Sequence, residues 1–266
     1  MLRDITLGQY YQTESVIHRL DPRVKLAGTL LYIISLFLFE NIAGYVLAAM
    51  FLALVIRLSH VPFKFMVRGM KAILFLLLIT VVFNLFLTPG EALLSFWKLT
   101  ITREGLHNAV FMAVRLCFLI IGSSIMTLTT TPNNLTDGLE KGLRPLKLFK
   151  VPVHEVAMMM SIALRFIPIL LEETDKIMKA QIARGADFES GNLIKRAKAL
   201  VPLLVPLFIS AFRRANDLAM AMEARCYRGG EGRTKMKPLI YQRRDYLAYL
   251  CILLYLVCKI AVGKLL

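Results

Sequence analysis

The sequence predicts an all-α integral membrane protein, with about five transmembrane helices and a cytoplasmic domain of long amphipathic helices. Three observations carry this expectation. Of the 266 residues, 57% are hydrophobic and 19% charged, where soluble domains hold about half and a quarter. The apolar residues gather into runs long enough to cross about 30 Å of hydrocarbon. The remaining charge is lopsided, with 33 Lys and Arg against 18 Asp and Glu, a net charge of +15 and a pI of 9.9. A mean hydropathy of +0.62 fits neither a soluble nucleic-acid binder nor a disordered chain.

The elements follow in order. The first twenty-five residues carry Asp4, Glu14 and Asp21 and no long apolar stretch, so they do not resemble a signal peptide. The run from Leu26 to Leu58 is too long for one span and is interrupted by Glu40-Asn41 and Gly44. It predicts two short helices, Lys25–Phe39 and Ile42–Leu58. A third span runs over Met70–Leu87 and stops at Thr88-Pro89-Gly90. A fourth covers Leu106–Leu128, before Thr131-Pro132, and a fifth covers Tyr246–Val262. Arg3, Arg19, Arg23 and Lys25 precede the first span, and Arg57, Lys64, Arg68 and Lys71 separate the second from the third. Lys141, Arg144, Lys147 and Lys150 follow the fourth. The opposite side holds only Lys98 and Arg103, offset by Glu91 and Glu104. By the positive-inside rule the N-terminus is cytoplasmic and the C-terminus external, with Lys259 and Lys264 as a mild exception. The expected organisation is a transmembrane region over 1–131, a cytoplasmic or interfacial helical block over 132–243, and a last transmembrane helix over 244–266.

The middle block predicts three amphipathic pieces, Asn134–Phe149, Val153–Arg184 and Asn192–Tyr227, the last two bent at Pro168, Pro202 and Pro206. Alternatively, Val156–Leu171 and Ala199–Phe212 are further short spans. Arg165 inside the first, and Arg213 and Arg214 closing the second, weigh against that, because charge is costly in hydrocarbon. The four Cys (Cys117, Cys226, Cys251, Cys258) form no Cys-x-x-Cys pair and suggest inert thiols. His18, His60, His107 and His154 are scattered, and Met158 stands where His154-Glu155 would need a second zinc ligand. Met158–Met160 read as adaptable packing. No Gly-x-x-x-x-Gly-Lys-Ser/Thr occurs, and Gly229-Gly230-Glu231-Gly232-Arg233-Thr234 reads as a solvated turn. Arg115 lies within the fourth span and is expected to snorkel or to cap a neighbour's carbonyls within the bundle. Gly122-Ser123-Ser124 would let helices approach closely.

One pattern occurs twice. Ala180-Gln181-Ile182-Ala183-Arg184-Gly185 and Ala221-Met222-Glu223-Ala224-Arg225-Cys226 both read Ala-x-x-Ala-Arg-small, and each closes a long helical pattern. Taken singly, each is ordinary helix termination, with a cation at the carbonyl end and a small residue after it. Repeated, they present small Ala faces that another backbone can approach, each tipped by a rigid guanidinium fork.

On these residues the chain resembles the transmembrane (T) component of energy-coupling factor (ECF) transporters, ATP-binding-cassette importers for vitamins and transition-metal ions. Ala183-Arg184-Gly185 matches the family's short motif, and Ala224-Arg225-Cys226 departs at its last position. There the helix is expected to end less sharply, with Gly229 capping. His18-Arg-Leu-Asp-Pro-Arg-Val-Lys25 is similar to the family's opening, and the resemblance covers essentially the whole chain. It implies that Arg184 and Arg225 each dock into one of two ABC ATPase subunits, with Ala183, Gly185, Ala224 and Cys226 permitting the fit. It implies that the block is a coupling domain whose apolar faces cradle a substrate-binding S component. The chain itself then binds no cofactor and no nucleic acid, and ATP and Mg are used by the partners. The expected setting is a multi-pass cell-membrane protein that is not itself an enzyme. A stand-alone secondary transporter or channel is the alternative, for which Glu40 and Asn84 are the nearest relay groups.

Overall fold

A computed structural model describes residues 10–38, 41–89, 91–96, 99–188, 192–230, 236 and 238–265. Arg3, Asp4, Glu40, Gly90, Lys98 and residues 231–234, named above, lie outside them. The described chain is helical, as expected: α1 (Pro22–Leu38), α2 (Ile42–Ser59), α3 (Phe63–Leu87), α4 (Arg103–Thr129), α5 (Pro132–Gly142), α6 (Val153–Ala183), α7 (Leu193–Ala224) and α8 (Arg243–Leu265). A short antiparallel pair, β1 (Ala92–Phe96) and β2 (Leu99–Thr102), occupies the loop between α3 and α4, with Phe96 opposite Leu99. The chain separates into two compact units. One is Gly142–Pro238, and the other contains Gly8–Lys141 and Leu239–Leu266.

In the second of these, α4 packs against α1, α2 and α3, and α8 packs against α1 and α2. The core is aromatic. Phe51 stacks on Tyr255 with centroids 4.4 Å apart, and the Tyr255 hydroxyl lies 2.8 Å from the Ser35 hydroxyl. Gly122 does what its size suggested, because a Cβ there would stand 2.7 Å from Cε1 of Tyr32. Arg115 is buried, and its Nε donates to the Tyr45 hydroxyl at 2.9 Å, inside the bundle as expected.

Helix ends are set locally. Asp21 caps α1, its carboxylate accepting from the Arg23 backbone N–H at 2.9 Å, with Pro22 in the first helical position. Thr102 caps α4 by accepting from Gly105 N–H at 3.0 Å, and Thr131 caps α5 by accepting from Asn134 N–H at 3.3 Å. The piece expected over Asn134–Phe149 is two elements, α5 and a 3₁₀ turn over Arg144–Phe149. The α-helix ends at Gly142, a poor helix former, and Pro145, which cannot donate a backbone bond, falls in the 3₁₀ turn that follows. In contrast, α6 runs through Pro168, and α7 through Pro202 and Pro206.

The opening motif joins three segments of the bundle. Arg23 grips Asp21 through Nε at 2.9 Å and a terminal nitrogen at 2.7 Å, and lies 3.7 Å over the Tyr241 ring. Lys25 donates to the carbonyls of Thr129 (2.8 Å) and His18 (3.1 Å). Asp245, 1% exposed, accepts from Asp21 N–H at 2.8 Å and from Gln242 N–H at 2.7 Å. Burial alone would raise the Asp21 carboxyl, but the hydrogen bonds and charge of Arg23 outweigh it and leave it below its usual value. Its contribution to stability is therefore complete above the ordinary carboxylate range and is lost as pH falls through the lowered value. The thermal midpoint of the purified chain is expected to fall with acidification there, and Asp21→Asn is expected to flatten that part of the profile.

Five described helices are long and apolar enough to cross a membrane: α2, α4, α6, α7 from Lys198 onward, and α8. The apolar part of α3 is shorter, Ile73–Phe86, since Lys64, Arg68 and Lys71 occupy its first turns. At 17 residues, α1 stands at the lower limit for a span.

Candidate functional site

The two Ala-x-x-Ala-Arg segments close α6 and α7, and they close them alike. Gly185 has φ +87°, a left-handed conformation that costs glycine little. Its N–H donates to Ile182 O (2.9 Å), while Ala186 N–H reaches back to Gln181 O (2.9 Å). That is the paired termination of a Schellman motif. At the second end Cys226 has φ 55°, its N–H donates to Glu223 O (2.8 Å), and Tyr227 N–H reaches Met222 O (3.0 Å). The bonds correspond one for one. The expectation that the second helix ends less sharply, capped by Gly229, is corrected: Cys226 itself takes the left-handed position, and Gly229, at φ +91°, lies in the loop beyond.

A side chain in the left-handed region costs roughly 1 kcal/mol. Cys226→Gly is therefore expected to raise stability by about that amount, read as a higher thermal midpoint. An unchanged or lower midpoint would show that the thiol makes a compensating contact.

Ala183, Arg184, Gly185, Ala224, Arg225 and Cys226 are all exposed. A Cβ on Gly185 would meet nothing within 4 Å, so no neighbour among the described residues requires its small size. Among the described residues, neither the Arg184 nor the Arg225 guanidinium has a hydrogen-bond or ion-pair partner. Two small-residue ends thus present free guanidinium forks, a geometry suited to carboxylates or carbonyls on another surface.

The structure does not bring these two ends together. Glu173 on α6 binds Arg214 on α7 at 2.6 Å and also accepts from the Ser210 hydroxyl. Gln181, further along α6, donates to the carbonyl of Pro202, earlier on α7, at 3.4 Å. The order reverses, so α6 and α7 pair antiparallel. Pro206 explains why that carbonyl is available, because it has no N–H to give the residue four before it. At 1.5 Å per residue, Arg184 and Arg225 lie at opposite ends of the pair, about 30 Å apart along it.

Sequence reading missed the joint at Glu173. The only hint is that Ser210 and Arg214 lie four apart on one helix face. Asp245 was missed as well, although Gln242-x-x-Asp245 has capping-box spacing.

Around the joint the helices are poorly covered. Val156, Met159 and Met160 on α6, and Leu204, Phe208 and Phe212 on α7, are exposed, while Ala157 and Leu203 are buried. The remaining candidates have structural partners. His18 bonds Ser15 and Tyr11, His107 lies against Phe111, and Asn84 donates to Thr80 O in its own helix. No group of three or more His, Cys, Asp or Glu suited to a metal occurs among the described residues.

Comparison with known proteins shows the family. The CbiQ family model, described as cobalt transport protein, matches residues 13–236. A relative from Clostridium kluyveri is 59% identical over 260 residues, covering 97% of this chain and 96% of its own. One from Thermosediminibacter oceani is 54% identical over 249 residues, 94% of each chain. One from Bacillus subtilis is 48% identical over 246 residues, 92% of this chain and 93% of its own. Each relative is named energy-coupling factor transporter transmembrane protein EcfT.

Proposed function

The chain belongs to the CbiQ family and is the transmembrane component of an ECF transporter, a multi-pass membrane subunit rather than an enzyme, and from that premise we propose that its two arginine-tipped helix ends dock two ABC ATPase subunits. The observation that carries this is the matched pair of ends: the same capping bonds, the same exposed Ala-Arg, and positions at opposite ends of one antiparallel pair. Two equivalent sites about 30 Å apart suit two similar subunits side by side better than one partner gripped twice.

The ATPases use ATP and Mg, and this chain binds neither. Their motion passes through α6 and α7 as packed helices. The exposed apolar faces of those helices support the further reading that they cradle a substrate-binding S component within the bilayer. Cargo is then chosen by that component and is a vitamin or a related micronutrient. The surplus of Lys and Arg flanking the bundle helices supports a cytoplasmic N-terminus, an external C-terminus, and a middle block on the cytoplasmic face. Affinity purification of the full chain from its native membrane tests the proposal. Two ATPase subunits per chain are expected, and uptake that persists in cells lacking every cassette ATPase would favour a stand-alone porter.

A further inference from the structure

We infer that the helical bundle holds a lipid site, a slot that takes one acyl chain of an anionic phospholipid with its phosphate at Arg244. Between α1, α2, α4 and α8 lies a cavity of about 280 Å³. An apolar cavity of roughly half that size already binds benzene. Thr29, Leu54, Leu58, Met126, Leu247 and Cys251 contribute to its almost wholly apolar lining. Leu54, Leu58, Leu247 and Cys251 are also exposed at the protein surface. The slot therefore opens sideways, where a membrane protein meets hydrocarbon.

Two cations line it, and they differ. Lys25 is committed to the carbonyls of His18 and Thr129. Arg244 has a buried Nε with no hydrogen-bond partner among the described residues. The nearby carboxylates are already engaged: Asp21 binds Arg23, and both oxygens of Asp245 accept backbone N–H groups. An apolar slot with an unpartnered guanidinium Nε at its edge matches an amphiphile with an anionic head, and a lipid phosphate is a group that a guanidinium can bind through two bonds at once.

The test uses the full chain in detergent micelles with phosphatidylglycerol or phosphatidylcholine carrying a diazirine in mid acyl chain. After illumination, adducts are mapped by mass spectrometry. Peptides containing 54–58 and 247–252 are expected to carry several times the label of the exposed Leu74-Phe75 surface on α3. Phosphatidylglycerol is expected to label them about fivefold more than phosphatidylcholine, the preference one cation gives. Arg244→Gln is expected to remove that preference but keep the labelling, and Ala248→Phe, which fills the slot, is expected to lower labelling by both lipids. Uniform labelling of all apolar surfaces, or equal labelling by the two lipids in the unaltered chain, overturns the assignment without recourse to either variant.

Discussion

Replacing both Arg184 and Arg225 with Glu is expected to release the ATPase subunits from the purified complex and reduce uptake to background. Each substitution removes a guanidinium and sets a like charge against whatever carboxylate or carbonyl receives it. Removing one partner of a desolvated charge pair at an interface costs about 2–5 kcal/mol, and charge reversal costs more. The two sites lie too far apart to share contacts, so their losses add. Either single substitution is expected to leave one ATPase attached. The chain itself is expected to fold and insert normally, since both side chains are exposed and make no bond among the described residues. The measurements are the stoichiometry of ATPase recovered with the chain and the ATP-dependent uptake of membrane vesicles. Full recovery of both subunits with the doubly reversed chain sinks the docking assignment.

Asp245→Ala is expected to be the most destabilising single change in the helical bundle. The carboxylate is 1% exposed, and its two oxygens accept from backbone groups 224 and 3 positions away. Truncation leaves two N–H donors unpaired at about 1–3 kcal/mol each. It also removes a negative charge beside the positive ends of α1 and α8. A loss of about 3–5 kcal/mol is expected, read as a lower denaturation midpoint in detergent. Asp245→Asn keeps one carbonyl acceptor and is expected to recover part of that loss. A midpoint for Asp245→Ala within about 0.5 kcal/mol of the parent would show that the two helix starts hold together without it.

Much of this was legible in the sequence because it is local. Apolar run length locates α2 and α4, and Gly185 ends α6, whereas α1, expected from Lys25, begins three residues earlier at Pro22, behind the Asp21 cap. The repeated Ala-x-x-Ala-Arg pattern could be read as a pair before either helix was seen. What escaped depends on contacts far apart along the chain or on competing preferences. Nothing near Asp245 announces Asp21, and nothing near Glu173 announces Arg214. Cys226 was misread because propensity favours glycine in a left-handed cap, whereas the paired back-bonds of the motif hold a cysteine there instead. The span expected over Met70–Leu87 matches the apolar part of α3, Ile73–Phe86, but the helix itself begins earlier, at Phe63, because its charged first turns are helical without being apolar. In α6 and α7, apolar length suggests a membrane span while the charges oppose it, so composition alone does not place them.

The Glu173–Arg214 joint has a mechanical consequence. From Glu173 to Arg184 is eleven residues, and from Arg214 to Arg225 is again eleven. The joint is therefore equidistant from the two arginines, about 16 Å of helix on either side. On the proposed docking, any swing about that joint would carry both tips through equal arcs, so neither ATPase would gain leverage over the other.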